Sequence, residues 1–171
     1  MFKSEQKPIL REILRSDLET LRKIRNSKAV MPFCREYRLL TEQDQENWWE
    51  DYSKNRRKSD FGQEIMAIEY RGKVCGAGGF TRIDWKDQKA ELTFYIEEES
   101  QEEGVIVECL NQLIWWGFFK LNFHKIYWPV YGHDKKVRIY KKVFDLEAVL
   151  KEEYYHEGAF FDRVYLSRIR K

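Results

Sequence analysis

The chain has little with which to build anything stapled, repetitive or membrane-spanning. Only three of its 171 residues are cysteine (Cys34, Cys75 and Cys109), an odd number without metal-ligand spacing. That count argues against a disulfide framework and for reduced thiols. Histidine is as scarce, and no pair among the three has the spacing of a metal site, so no metal is expected. No charge sign dominates: 31 Lys and Arg stand against 29 Asp and Glu, for a formal net charge of +2. Such a balance nominates neither nucleic acid nor an anionic membrane as the main partner. No segment approaches the ~18 uninterrupted apolar residues of a membrane span. The longest apolar stretch, LIWWGFF at 113–119, is far shorter, and the opening residues MFKSEQKPIL lack the apolar region of a secretion signal. These absences lead to the expectation of a soluble, cytoplasmic protein with no membrane partner.

What remains is a chain rich in core-forming residues, 43% hydrophobic and 16% aromatic, with 35% charged residues. One domain over residues 1–171 accommodates it, since that length buries a sizeable core. ILREIL (9–14) alternates as a short strand. SDLETLRKIRN follows as a helix, with Ser16 and Glu19 spaced as a capping box and Leu18, Leu21 and Ile24 on one face. Thr41 caps a second helix, TEQDQENWWEDYSKN. EIMAIEY (64–70) and KVCGAGGFTRIDW (73–85) read as strands joined by the tight turn Arg71-Gly72, and KAELTFYIEE (89–98) as a third. Gly104 to Leu121 has helical spacing with apolar residues nearly all round, so it should be largely buried. HKIYWPVY (124–131) is a buried strand and DKKVRIYKKV (134–143) a short helix. LEAVLKEEYY (146–155) and AFFDRVYLSRI (159–169) are strands around His156-Glu157-Gly158. The order β-α-α-β-β-β-α-β-α-β-β predicts an α/β fold with helices on the faces of a mixed sheet.

That order, with several local stretches, resembles the GNAT superfamily of acyl-CoA-dependent N-acetyltransferases, in particular its ribosomal-protein N-terminal and small-amine branch. The stretches are IRNS (24–27), REYRLLTEQDQENWW (35–49), KVCGAGGFTRID (73–84) with KAELTFYI (89–96), LNFHKIYWPVY (121–131) and EEYYHEGAFFDRVYLS (152–167). The resemblance implies a mostly antiparallel seven-stranded sheet with about four helices. Its fourth and fifth strands would splay to admit the pantetheine arm of acetyl-CoA, the acyl donor. It implies direct acetyl transfer to a primary amine, on a small molecule or a peptide N-terminus, by a monomer or homodimer.

Within that resemblance, QEEGVIVECL (101–110) occupies the pyrophosphate loop, where backbone amides at a helix N-terminus meet a doubly charged anion. Gln101 and Gly104 match the family's pattern, while Glu102 replaces a frequent glycine and Ile106 a small residue. The cofactor-binding set implied is Ile96, Gln101, Glu102, Glu103, Gly104, Val105, Ile106 and His133. Ile96 would offer a backbone amide to the thioester carbonyl, and His133 stands where relatives carry Asn. Tyr140 matches the tyrosine that protonates the leaving thiolate, although a following glycine is missing from YKKVFDLEAVL. Glu91 holds the strand position of a frequent general base, the alternative being a solvated strand glutamate.

No cysteine intermediate is implied, since Cys109 falls inside the main helix. Trp48-Trp49 and Trp115-Trp116 lie on helices, where neighbours point about 100° apart, so at least one of each pair is expected to be less buried. Core packing or an aromatic wall for a substrate would each account for them. A second reading of the departures in the phosphate loop is a GNAT-fold binding or assembly module that has lost catalysis.

Overall fold

The computed structural model describes residues 7–171, and they fold around one seven-stranded sheet. Its strands are β1 (Ile9–Glu12), β2 (Gln63–Tyr70), β3 (Lys73–Asp84), β4 (Lys89–Ile96), β5 (Lys125–Tyr131), β6 (Asp145–His156) and β7 (Ala159–Ile169). They lie in the order β1-β2-β3-β4-β5-β7-β6. Every neighbouring pair is antiparallel except β4 and β5. The helices are α1 (Leu18–Arg25), α2 (Glu42–Asn55), α3 (Glu103–Phe119) and the single turn α4 (Val137–Tyr140). Among the described residues, no helix is long and apolar enough to cross a membrane.

Strand alternation divides the core between the two faces of the sheet. Ile68 of β2, Phe80 of β3 and Leu92 of β4 point to α3, where they meet Ile106, Cys109, Leu110 and Leu113. Ala67, Ala77 and Tyr95 point to the other face, toward Leu18 and Leu21 of α1 and the tryptophans of α2. Each fully buried Leu or Ile of this kind stabilises the fold by about 1.5–3 kcal/mol. Gly117 brings α3 close to the sheet, since a Cβ there would stand 2.7 Å from the Phe80 ring.

Several local features follow the sequence pattern. Arg71 and Gly72, at φ 53° and 76°, form the β2–β3 turn, as a two-residue hairpin with both centres left-handed requires. Thr41 caps α2: its Oγ1 accepts from the Asp44 N–H at 3.1 Å, and the Asp44 carboxylate accepts from the Thr41 N–H at 2.8 Å.

Three expectations are corrected. Asp17, not the Ser16–Glu19 pair, organises the start of α1. Its carboxylate accepts from the Leu14 N–H at 2.7 Å and from both terminal nitrogens of Arg11 at 2.8 and 3.0 Å, which tightens residues 15–17 into a 3-10 turn. The helix expected over 134–143 shrinks to Val137–Tyr140, because the Asp134 carboxylate takes the Lys136 N–H at 2.9 Å and makes a turn instead. Helix α3 is not buried all round: Trp115 and Phe119 lie 53% and 66% exposed, while Trp116 packs on Phe80. The tryptophan pairs are as expected: Trp115 is the exposed member of its pair, and Trp48 and Trp49 are both half-buried against the Ala67–Leu21 cluster.

Candidate functional site

β4 and β5 pair only over Lys89–Glu91 and Lys125–Tyr127. Beyond them the strands part, and Pro129 lies just past the last pair. A proline inside a central strand is tolerated where no neighbour needs its missing N–H, so this residue marks where the ladder opens. The Glu97 N–H is given to Cys75 on β3 at 2.7 Å. By alternation the N–H groups of Phe94 and Ile96 therefore face the gap rather than β3.

A narrow slot of about 60 Å³ occupies the gap, with Ile96, Gln101, Trp128, Asp134 and Tyr140 in its walls. Gln101 is fixed there because its side-chain amide donates to the Ile96 carbonyl at 3.0 Å. Tyr140 is 4% exposed, packs with its ring tilted against Trp128 at 4.4 Å and donates its hydroxyl to Asp134 at 3.2 Å. Burial first, and then the Asp134 charge, push this phenol above its ordinary range, so it stays neutral and protonated. Asp134 is itself 6% exposed and is held by Lys136 at 3.1 Å.

At one end of the gap stands the N-terminus of α3. Glu102 is the residue preceding it and makes no side-chain cap. The N–H groups of Glu103, Gly104 and Val105 are the first-turn donors that a helix leaves unpaired. Gly104 has open space above it, since a Cβ there would meet nothing within 4 Å. Both loop glutamates are ion-paired: Glu102 with Arg71 at 3.2 Å, and Glu103 with Lys142 and, at 3.7 Å, Arg138. The loop thus carries three cations beside its two acids.

A larger chamber of about 410 Å³ shares the walls Phe33, Cys34, Phe94, Tyr95, Trp128, Pro129 and Tyr131 with the slot. Glu91 lies in this chamber and is not solvated: it is 7% exposed, bonded by Arg35 at 2.6 Å and approached by Arg82 at 3.6 Å. Arg82 reaches it from an irregularity in β3, where its own φ is 49°. A left-handed arginine at a bulge is backbone strain that re-aims a side chain. Cys34 sits where the two cavities meet, and burial raises its thiol to about 11. Burial likewise raises Cys75 to about 11 and Cys109 to about 12, which keeps all three protonated and poorly nucleophilic near neutrality.

The structure brings Ile96, Gln101 and Tyr140 together at the slot, and leaves Glu102, Glu103, Gly104 and Val105 at the α3 terminus. Two other residues from the sequence are placed elsewhere. Ile106 is fully buried in the core and its N–H is already given to the Glu102 carbonyl at 3.0 Å. His133 does not line the slot: its Nδ1 meets the Tyr154 hydroxyl, its ring stacks on His156 at 4.7 Å, and Nε2 is enclosed without a partner. Arg25, Arg35 and Arg82 were missed by the sequence reading because long-range packing alone makes them neighbours of the site, and Asp134, six residues before Tyr140, was missed because its role appears only once the intervening turn folds. Pro129 was the one local signal of the gap. Among the described residues no cluster of His, Cys, Asp and Glu is suited to a metal ion.

The acetyltransferase (GNAT) domain family matches residues 8–143, most of the chain. Among known proteins, the chain is 26% identical over 155 residues to spermidine N(1)-acetyltransferase of Escherichia coli (strain K12), covering 88% of this chain and 80% of that one. It is 24% identical over 118 residues to YdaF of Bacillus subtilis (strain 168), named as a candidate ribosomal N-acetyltransferase, covering 68% and 64% of the two chains. In fold it is similar to the crystal structure of spermidine N-acetyltransferase from Vibrio cholerae in complex with CoA and spermine, with a TM-score of 0.84, 23% identity and 95% of each chain covered. The protein belongs to the acetyltransferase (GNAT) domain family and is an acetyl-CoA-dependent N-acetyltransferase.

Proposed function

We infer that the chain works as one cytoplasmic domain, monomeric or homodimeric, passing acetyl directly from acetyl-CoA in the β4–β5 gap to a primary amine in the neighbouring chamber. The amine belongs to a small molecule or a peptide N-terminus; the relatives named for spermidine and for ribosomal acetylation favour this range. The observation that carries the reading is the shared wall. The slot and the chamber meet at Phe94, Tyr95, Trp128 and Pro129, beside backbone amides that have lost their strand partner.

Each part of the donor fits residues on the page. The α3 N-terminus with Gly104 offers donors and open space to the pyrophosphate. Arg71, Arg138 and Lys142 stand ready to exchange their glutamate partners for phosphate oxygens. Gln101 and Ile96 shape the slot for the pantetheine arm. Acetyl-CoA supplies the acetyl group as a thioester, and the residues supply the rest. The N–H groups of Phe94 and Ile96 polarise the carbonyl, as donors preset for developing negative charge. Glu91 receives the amine's proton, and Tyr140 gives its proton to the departing sulfur as the C–S bond breaks and the C–N bond forms. The protonated thiols speak for this direct route and against an acetyl-cysteine.

Calorimetric titration with CoA, followed by an assay of amine-dependent thiol release, tests the proposal. Micromolar-range CoA binding with amine-dependent release is the expected result. Absence of CoA binding by the folded protein would count decisively against it.

A further inference from the structure

The charges facing the chamber constrain which amine it accepts, given the reading of the chamber as the acceptor site. Three arginines, Arg25, Arg35 and Arg163, and two carboxylates, Glu36 and Glu91, line it. Both carboxylates are already paired with arginines. Glu91 is bracketed by Arg35 and Arg82, and Glu36 is held by Arg38 at 3.1 Å. Arg163 is satisfied in turn by Glu153 at 3.2 Å. Arg25 differs from all of these. Among the described residues no carboxylate lies within ion-pair reach of it, and its Nη2 gives only to the Glu36 carbonyl at 3.3 Å. Its Nη1 is enclosed and meets no acceptor. A half-buried guanidinium with a single carbonyl partner is poorly compensated, and a bound anion is what would satisfy it.

We propose that the acceptor carries a carboxylate on the same small molecule as its primary amine. Arg25 binds that carboxylate, and Arg35 turns to it from Glu91. Arg35 can make this move because its side chain is 55% exposed and tethered to the chamber by one bond. Its departure frees a Glu91 oxygen to meet the amine, so the acceptor's own anion readies the proton acceptor. A polyamine brings only like charge to Arg25 and Arg35, and gives Arg35 no partner in exchange for Glu91. The chamber's 410 Å³ suits a small metabolite. The cationic wall therefore favours an anionic acceptor over a polycation.

The test is a kinetic comparison of matched primary amines of equal chain length at saturating acetyl-CoA. Each set holds an amino carboxylate, its carboxamide and the corresponding diamine, with α-amino carboxylates included. In the best set the carboxylate is expected to exceed both others by about tenfold or more in kcat/KM. Arg25→Gln removes the guanidinium charge while keeping a polar side chain, so it should bring that ratio toward one, while Arg25→Lys retains most of the preference. Acetyl-CoA affinity and melting temperature report that each variant is folded. Preference for diamines or carboxamides overturns the proposal, as does an undiminished ratio in folded Arg25→Gln. Failure of every carboxylate while acetyl-CoA binds and another amine is acetylated overturns it and leaves the transferase reading standing. Failure to bind acetyl-CoA takes both down.

Discussion

Replacing Glu102 and Glu103 together with glutamine perturbs the phosphate loop without touching the core, since their side chains are 54% and 41% exposed. In water a unit charge about 7 Å from another interacts by about 0.6 kcal/mol, and a pyrophosphate with two charges doubles this for each glutamate. The gross repulsion is then about 2 kcal/mol. In the free protein both glutamates are paired with Arg71, Arg138 and Lys142, and exposed pairs of this kind are worth about 0–1 kcal/mol each. Removing the acids leaves those three cations to the phosphates with no pair to break, so the pairing does not offset the gain; screening by the dilute salt is what trims it. About 1–2 kcal/mol remains, or roughly five- to thirtyfold tighter CoA binding by calorimetry at low salt. At about 1 M salt the Debye length falls to roughly 3 Å, and most of the gain should vanish. Weaker binding in the double variant at low salt would refute the reasoning and make the glutamates positioners of the cations.

Other outcomes follow from the same geometry. Gly104→Val should leave the melting temperature unchanged or slightly raised, because nothing lies within 4 Å of its Cβ, yet weaken CoA binding by about tenfold through blocked backbone approach; unaltered affinity removes Gly104 from the site. Tyr140→Phe should lower kcat by about 10²-fold or more, with acetyl-CoA affinity little changed. Because burial and Asp134 raise the Tyr140 phenol, it stays protonated past the ordinary ~10, so no alkaline loss of kcat below that pH should trace to it. Asp17→Asn should destabilise the fold by about 1–3 kcal/mol, since one amide oxygen remains for the Leu14 N–H but Arg11 loses its charged partner and second acceptor. Arg11 holds the Asp17 carboxylate below its ordinary range. Its stabilisation is therefore present above about pH 4 and lost as pH falls through the lowered value, which thermal melts of both proteins from neutral to acid pH will show.

The element order was legible because each segment announces its period. β7 was read at its observed bounds, and the Arg71-Gly72 turn and the Thr41 cap were visible as local chemistry. What stayed hidden depends on tertiary proximity. Ser16 looked like a cap because the pattern is local, but the cap-like acceptor is Asp17, recruited by Arg11 from the preceding strand. The Arg35–Glu91 bond joins residues 56 apart, and no spacing rule foretells it. Glutamates that read as repulsive in sequence turn out to be matched by Arg71 and Lys142 from two other segments. Asp134 left a fainter trace, an acid six residues before Tyr140, whose meaning appears only once α4 folds to a single turn.

Direct transfer across the wall between slot and chamber is tested most directly by rapid quench of the enzyme mixed with acetyl-CoA and an accepted primary amine. Acetylated amine should appear in step with free CoA thiol, and mass spectrometry of the quenched protein should find no acetyl-enzyme at any time. An acetylated cysteine that forms and decays at the rate of turnover would contradict the account.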